Sequence, residues 1–188
     1  MNIRYRARSG RGLLALVLLL GQALLAPQAS AATAAEIDAS VDAALDRFHK
    51  EVDGANALLA AAEGVLVLPG VIKAGIGIGG EYGEGALRID GSTVDYYSIA
   101  SASVGFQLGA QKKDVVLLFL DADALRHFRA SSGWKAGVDG SVALVDAGAG
   151  GSVDTERIKD PIIGFVFGQK GLMYNLTLEG SKLTRVER

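Results

Sequence analysis

Apolar and polar positions along the 188-residue chain follow three successive rhythms. The first is one continuous apolar block. Arg4, Arg6, Arg8 and Arg11 precede it with no acidic residue among them, and Leu13 to Ala26 then run apolar except at Gly21 and Gln22. Pro27 ends the block, and Ala29-Ser30-Ala31 places small residues where a signal peptidase needs them. The pattern predicts a Sec-type signal peptide over residues 1–31, cleaved after Ala31. A membrane-spanning anchor is the alternative, but the block is about 14 residues long and a bilayer takes about 20. No two arginines are adjacent and no cysteine follows, which argues against twin-arginine export and lipoprotein anchoring. The working chain is then a single domain over 32–188, periplasmic or secreted.

The second rhythm is helical. Ile37, Val41, Leu45, Phe48 and Val52 recur at three- and four-residue steps, with Asp38, Asp42, Asp46 and Lys50 on other faces. Thr33 and Glu36 form a capping box at its start. Asp53-Gly54 interrupts the pattern, and Ala55–Glu63 predicts a second helix stopped by Gly64.

From Gly64 the period falls to two. Val65–Leu68 is a short apolar run closed by Pro69-Gly70, and Ala74–Gly80 alternates glycine with isoleucine. Leu87 and Ile89 alternate with polar neighbours, Asp90-Gly91 signals a hairpin, and Thr93–Ser98 returns. Val104, Phe106 and Leu108 alternate with Gly105, Gln107 and Gly109. Val115–Leu120 is continuously apolar, as a strand buried on both faces would be. Asp121 or Asp123 caps a short helix through Leu125 and Phe128. Further strands are predicted at Val142–Val145, Ile162–Phe167, Leu172–Leu178 and Leu183–Val186, with a glycine-rich loop over Ala147–Val153. Short connections favour an antiparallel α+β fold. The expected architecture is N-terminal helices packed on a glycine-rich sheet or partial barrel of about eight strands, with one inserted short helix.

Charge narrows the partners. The whole chain carries −2, and removal of the leader's four arginines leaves 15 basic against 21 acidic residues, or −6. Such a domain lacks the positive field that nucleic-acid binding needs. With no cysteine there is no disulfide, thiolate nucleophile or cysteine-based metal site.

Candidate chemistry is sparse. Gly75-Ile-Gly77-Ile-Gly79-Gly80 fits G-x-G-x-x-G, but a strand pattern follows it where a dinucleotide site needs a helix. Its glycines are better read as letting another backbone approach one strand face. His49 and His127 lie on separate predicted helices, and Glu81, Glu84, Asp121 and Asp123 match no calcium loop. Ser101-Ala-Ser103-Val-Gly105 leads into a strand pattern, not a helix, so its serines belong to a strand or its leading turn and make no nucleophile elbow. No catalytic, metal or cofactor site is expected. Asn175-Leu-Thr177 fits a glycosylation acceptor but sits inside an alternating strand. Lys73, Lys112, Lys113 and Lys135 fall in turns or at strand ends, with Trp134 beside Lys135. They are the candidate lipid-binding residues, the lysines for head-group phosphates and Trp134 as an interfacial anchor. The alternative is ordinary solvated lysines with Trp134 packed.

Several blocks together resemble the SYLF domain family. They are Gly64-Val-Leu-Val-Leu-Pro69, Lys73-Ala-Gly-Ile-Gly-Ile-Gly-Gly80, Glu81-Tyr-Gly-Glu-Gly85, Tyr96-Tyr-Ser98 and Ser103-Val-Gly-Phe-Gln-Leu-Gly-Ala-Gln111. Leu118-Phe119 leading into Ala124-Leu125 and Phe128, Gly171-Leu-Met173 and Leu178-Glu-Gly180 complete the set in the same order. The resemblance implies a non-enzymatic lipid-binding domain with a phospholipid or membrane surface as partner. Actin binding, known for some eukaryotic members, does not carry over to an exported chain with no SH3 domain. The alternative function is a cell-envelope structural or protein-interaction module with an envelope protein as partner.

Overall fold

The computed structural model describes residues 32–147, 160–171 and 178–188, with the side chains of 105–108 left out. Thr33–Arg188 forms one compact unit.

Helix α1, Ala34–Glu51, starts at Thr33, whose hydroxyl accepts from the Glu36 N–H while the Glu36 carboxylate accepts from the Thr33 N–H at 2.8 Å. Ile37, Val41, Ala44 and Phe48 form its buried stripe, the spacing expected of a helix packed on one side. A second helix, α2, covers Ala55–Ala61 and starts from Gly54, whose φ is +75°. It ends before the expected limit at residue 63. Gly64 is the first residue of a strand, not a helix stop, and a Cβ there would meet Leu125 Cδ1 at 2.9 Å.

Two very long strands dominate the rest: β1, Gly64–Ile89, and β2, Ser92–Phe119. They pair antiparallel from Ile89↔Ser92 to Gly64↔Phe119. Asp90 and Gly91 turn the hairpin with φ of +51° and +75°, the left-handed pair of a type I′ turn. A series of short strands was expected here. The structure makes them two, because glycines and Pro69-Gly70 that read as interruptions are accommodated inside the strands. Register shifts fall at Leu68/Val71, Ile76/Ile78 and Leu87/Arg88. They bend the pair as bulges do.

After β2, Asp121 caps α3, Ala122–Ala130, through the Ala124 N–H at 2.8 Å. Strands β3 (Trp134–Lys135), β4 (Ala143–Asp146), β5 (Ile162–Gly171) and β6 (Lys182–Val186) follow. The sheet runs β3-β6-β2-β5-β4, with β1 also on β2. Among the described residues every pairing between strands is antiparallel except β4 with β5. The result is the expected α+β fold: helices on a curled, mostly antiparallel sheet resembling half a barrel. The loop expected at Ala147–Val153 and the strand expected at Leu172–Leu178 fall mostly outside the described residues, as does Asn175.

Both faces of the sheet carry core. On one, Phe48 of α1 meets Phe165 and Phe167 of β5 with ring centroids 5.1 and 5.6 Å apart. On the other, Phe128 of α3 sits 4.8 Å from both Tyr97 and Phe119 and 5.6 Å from Trp134. Val115–Phe119 is buried throughout between β1 and β5, matching its continuously apolar sequence.

A candidate membrane-contact surface on the bent hairpin

The β1–β2 hairpin folds back on itself. A Cβ on Gly85 would lie 1.8 Å from the Val67 carbonyl oxygen, one on Gly83 2.9 Å from Val71 Cγ2, and one on Gly75 2.5 Å from Gly79 Cα. The two halves of β1 therefore press together, backbone on backbone, along an inner face where no side chain fits. This is the close approach that the glycine spacing predicts. The bend lies where these halves join, near Gly77, whose φ is +70°.

Alternation then dictates what lies outside. With glycine facing inward at 75 and 79, the intervening positions face outward. Ile76 is 81% exposed, Ile78 71% and Val104, its cross-strand partner, 85%. Ile72 and Tyr82 are exposed on the flanks of the bend. Isolated exposed apolar residues are ordinary, but large β-branched side chains grouped on one protruding bend are not.

Inside the bend the apolar interior becomes polar. Lys73, Glu81, Gln111 and Lys113 are all buried. Lys113 Nζ is 3.1 Å from Glu81 Oε2, with both side chains out of solvent. The pair lacks hydrogen-bond alignment: Lys113 Nζ and Glu81 Oε1 have no hydrogen-bond partner among the described residues. Burial holds the Lys73 ammonium below the usual lysine pKa; Glu81 opposes that shift and Lys113 adds to it. Two buried ammonium groups thus share one carboxylate.

The expected lipid-contact residues divide accordingly. Burial takes Lys73 and Lys113 off the surface, Lys113 being 0% exposed. Trp134 is 2% exposed and stacks edge-on against Phe128, so it anchors the core rather than an interface. The alternation that points Val71 inward points Lys73 inward too, a consequence hidden while this stretch reads as a turn. Lys135 is exposed but lies on β3, where Asp139 accepts from its backbone N–H at 2.7 Å. Lys112 is exposed on β2, directly opposite Ile72 on β1.

The apolar bend was not among the residues singled out from sequence, although glycine alternating with isoleucine carries the signal. Ser101 and Ser103 lie within β2 as expected. Among the described residues no group of three or more His, Cys, Asp or Glu is placed to hold a metal ion. His49 Nδ1 lies 2.7 Å from the Leu45 carbonyl, and His127 is on the surface. Among the described residues no helix is long and apolar enough to cross a membrane.

These features define a class: an α+β domain built on a folded-over, glycine-faced hairpin whose bend presents apolar side chains. Residues 100–188 match the family model Ysc84, described as Las17-binding protein actin regulator, a match consistent with a SYLF domain protein. The match runs from within β2 to the end of β6; β1 precedes it. No curated protein matches the chain.

Proposed function

We propose that this is a lipid-binding domain that docks on a membrane surface through the hairpin bend. The observation that carries the reading is the outward group Ile76, Ile78 and Val104 on a protruding turn of sheet. A convex apolar projection fits the deformable acyl region of a bilayer better than it fits a rigid pocket. The family-model match supports lipid binding or a role related to actin regulation. The leader pattern supports work outside the cytoplasm, in the periplasm or beyond the cell, where the actin-related role has no counterpart. The reading is non-enzymatic, with phospholipid as partner and no cofactor. The alternative is an envelope protein-interaction module; Ile76, Ile78 and Val104 would serve it as a contact patch.

Co-sedimentation of Ala32–Arg188 with phospholipid vesicles tests the proposal. Burying an isoleucine side chain is worth roughly 1.5–3 kcal/mol, so I76S/I78S is expected to weaken partitioning at least about 100-fold. A chain that sediments with no vesicle composition, or a variant that sediments equally well, would contradict it. Association of the wild type with itself or with an envelope protein, lost in I76S/I78S, would favour the alternative.

A further inference from the structure

Further along the hairpin from the bend lies a cleft with an unusual charge arrangement. Lys112 of β2 and Lys170 of β5 are direct cross-strand partners. Like charges directly opposite one another destabilise a sheet. Both are exposed, and neither has an ion-pair or hydrogen-bond partner among the described residues. They line a cleft of about 270 Å³ together with Arg47, Glu51, Asp114 and Gly168.

The two carboxylates in that cleft are already engaged. Asp114 accepts from Arg47 Nε and from the Gly70 N–H at 2.7 and 2.8 Å, and Glu51 accepts from the Gly168 N–H at 3.2 Å. Two ammonium groups are thus held side by side with no anion assigned to them. On the far side of Lys112 its β1 partner is the exposed Ile72, and four residues further along β1 is Ile76. At about 3.3 Å per residue, the lysine row stands roughly 13 Å of strand from the apolar bend. With the strands upright on a bilayer, that separation would set the two cations near the phosphate level while the bend enters the acyl region.

We propose that Lys112 and Lys170 form a phosphate-binding site for the head group of an anionic phospholipid. The site rests on the membrane-docking reading and adds a charge preference to it. The second like-charged pair, Lys135 and Lys182, lies on β3 and β6 with Asp139 beside Lys135. It has the same formal charge but not the bend, and so supplies a control.

The test compares Ala32–Arg188 with its K112E/K170E and K135E/K182E variants on phosphatidylcholine vesicles with and without phosphatidylglycerol. A lysine near an anionic surface contributes enough that losing two weakens binding about 30-fold, and reversal weakens it further. Expected is a fall of at least that size for K112E/K170E on anionic vesicles, with much less change on neutral ones and in the control. All four side chains are exposed, so unchanged thermal melting should verify the fold. Equal loss in both variants would overturn the site in favour of general electrostatics. Undiminished binding by K112E/K170E would overturn the site and leave docking standing. Wild type that binds neither vesicle overturns both. Displacement from vesicles by inorganic phosphate at matched ionic strength would assign the site to free phosphate and overturn the lipid reading of it.

Discussion

Gly85 leaves no room for even one more carbon, because its missing Cβ would stand 1.8 Å from the Val67 carbonyl oxygen. The contact is with backbone, which cannot swing aside as a side chain can. Gly85→Ala is expected to cost about 3 kcal/mol or more, the upper end of overpacking penalties. Gly77→Ala, with a φ of +70° but nothing within 4 Å, should cost only the left-handed strain of about 1–2 kcal/mol. Denaturant unfolding of the two variants checks the order. Tyr97 gives a second test at this scale. Burial and the Asp95 carboxylate push its phenol up to about 12, and its hydroxyl has no hydrogen-bond partner among the described residues. The folded state therefore keeps a proton that the unfolded chain releases near pH 10. Stability should be full below about pH 10 and fall as pH rises through 12, with Tyr82 and Tyr96 adding to the trend through bonds to Glu84 and Asp38. Tyr97→Phe should flatten that alkaline decline at little cost, since it removes an unpartnered hydroxyl. Thermal melts across alkaline pH would check this.

At the scale of elements, sequence legibility followed the strength of local signals. The Thr33 capping box, the α1 stripe and the Asp90-Gly91 turn were all legible because each depends on residues a few positions apart. The number of strands was not. Glycine marks a break when its neighbours are loop, but here it marks a face against which β1's own second half packs, with partners as far along the chain as Val67 is from Gly85. The same distance hid Lys73 and Lys113, whose burial depends on Glu81 from the returning arm. Trp134 stands beside charged Lys135 in the sequence, whereas its packing depends on Phe128 of α3. An asymmetry follows from the buried charges. Glu81→Leu leaves two ammonium groups without a carboxylate, a change of the kind that costs about 3–5 kcal/mol. Lys113→Met leaves Glu81 with Lys73 and should cost less. Equal losses in chemical denaturation would contradict this account of the interior. Thr33→Ala, which removes the α1 cap, should cost about 1 kcal/mol in the same assay.

Taken whole, the molecule separates two tasks. Aromatic cores on both sheet faces hold the fold together, while the hairpin bend projects apolar side chains that the fold does not use. On the proposed membrane reading, the acidic balance of residues 32–188 leaves general attraction to anionic lipid weak, so the apolar bend would supply the affinity and Lys112 and Lys170 the charge preference. Composition indicated that economy of basic residues; the direction in which Ile76 and Ile78 point needed the folded hairpin. The chain's lack of cysteine allows a direct test, because a single introduced thiol can be labelled alone. An environment-sensitive fluorophore on Ile76→Cys, read against one on Val138→Cys, an exposed residue of the turn after β3, reports which site enters a bilayer. On phospholipid vesicles, Ile76→Cys should shift to a blue, lipid-quenchable emission while Val138→Cys stays solvated. Solvated emission from both labels on sedimented vesicles would contradict docking through the bend.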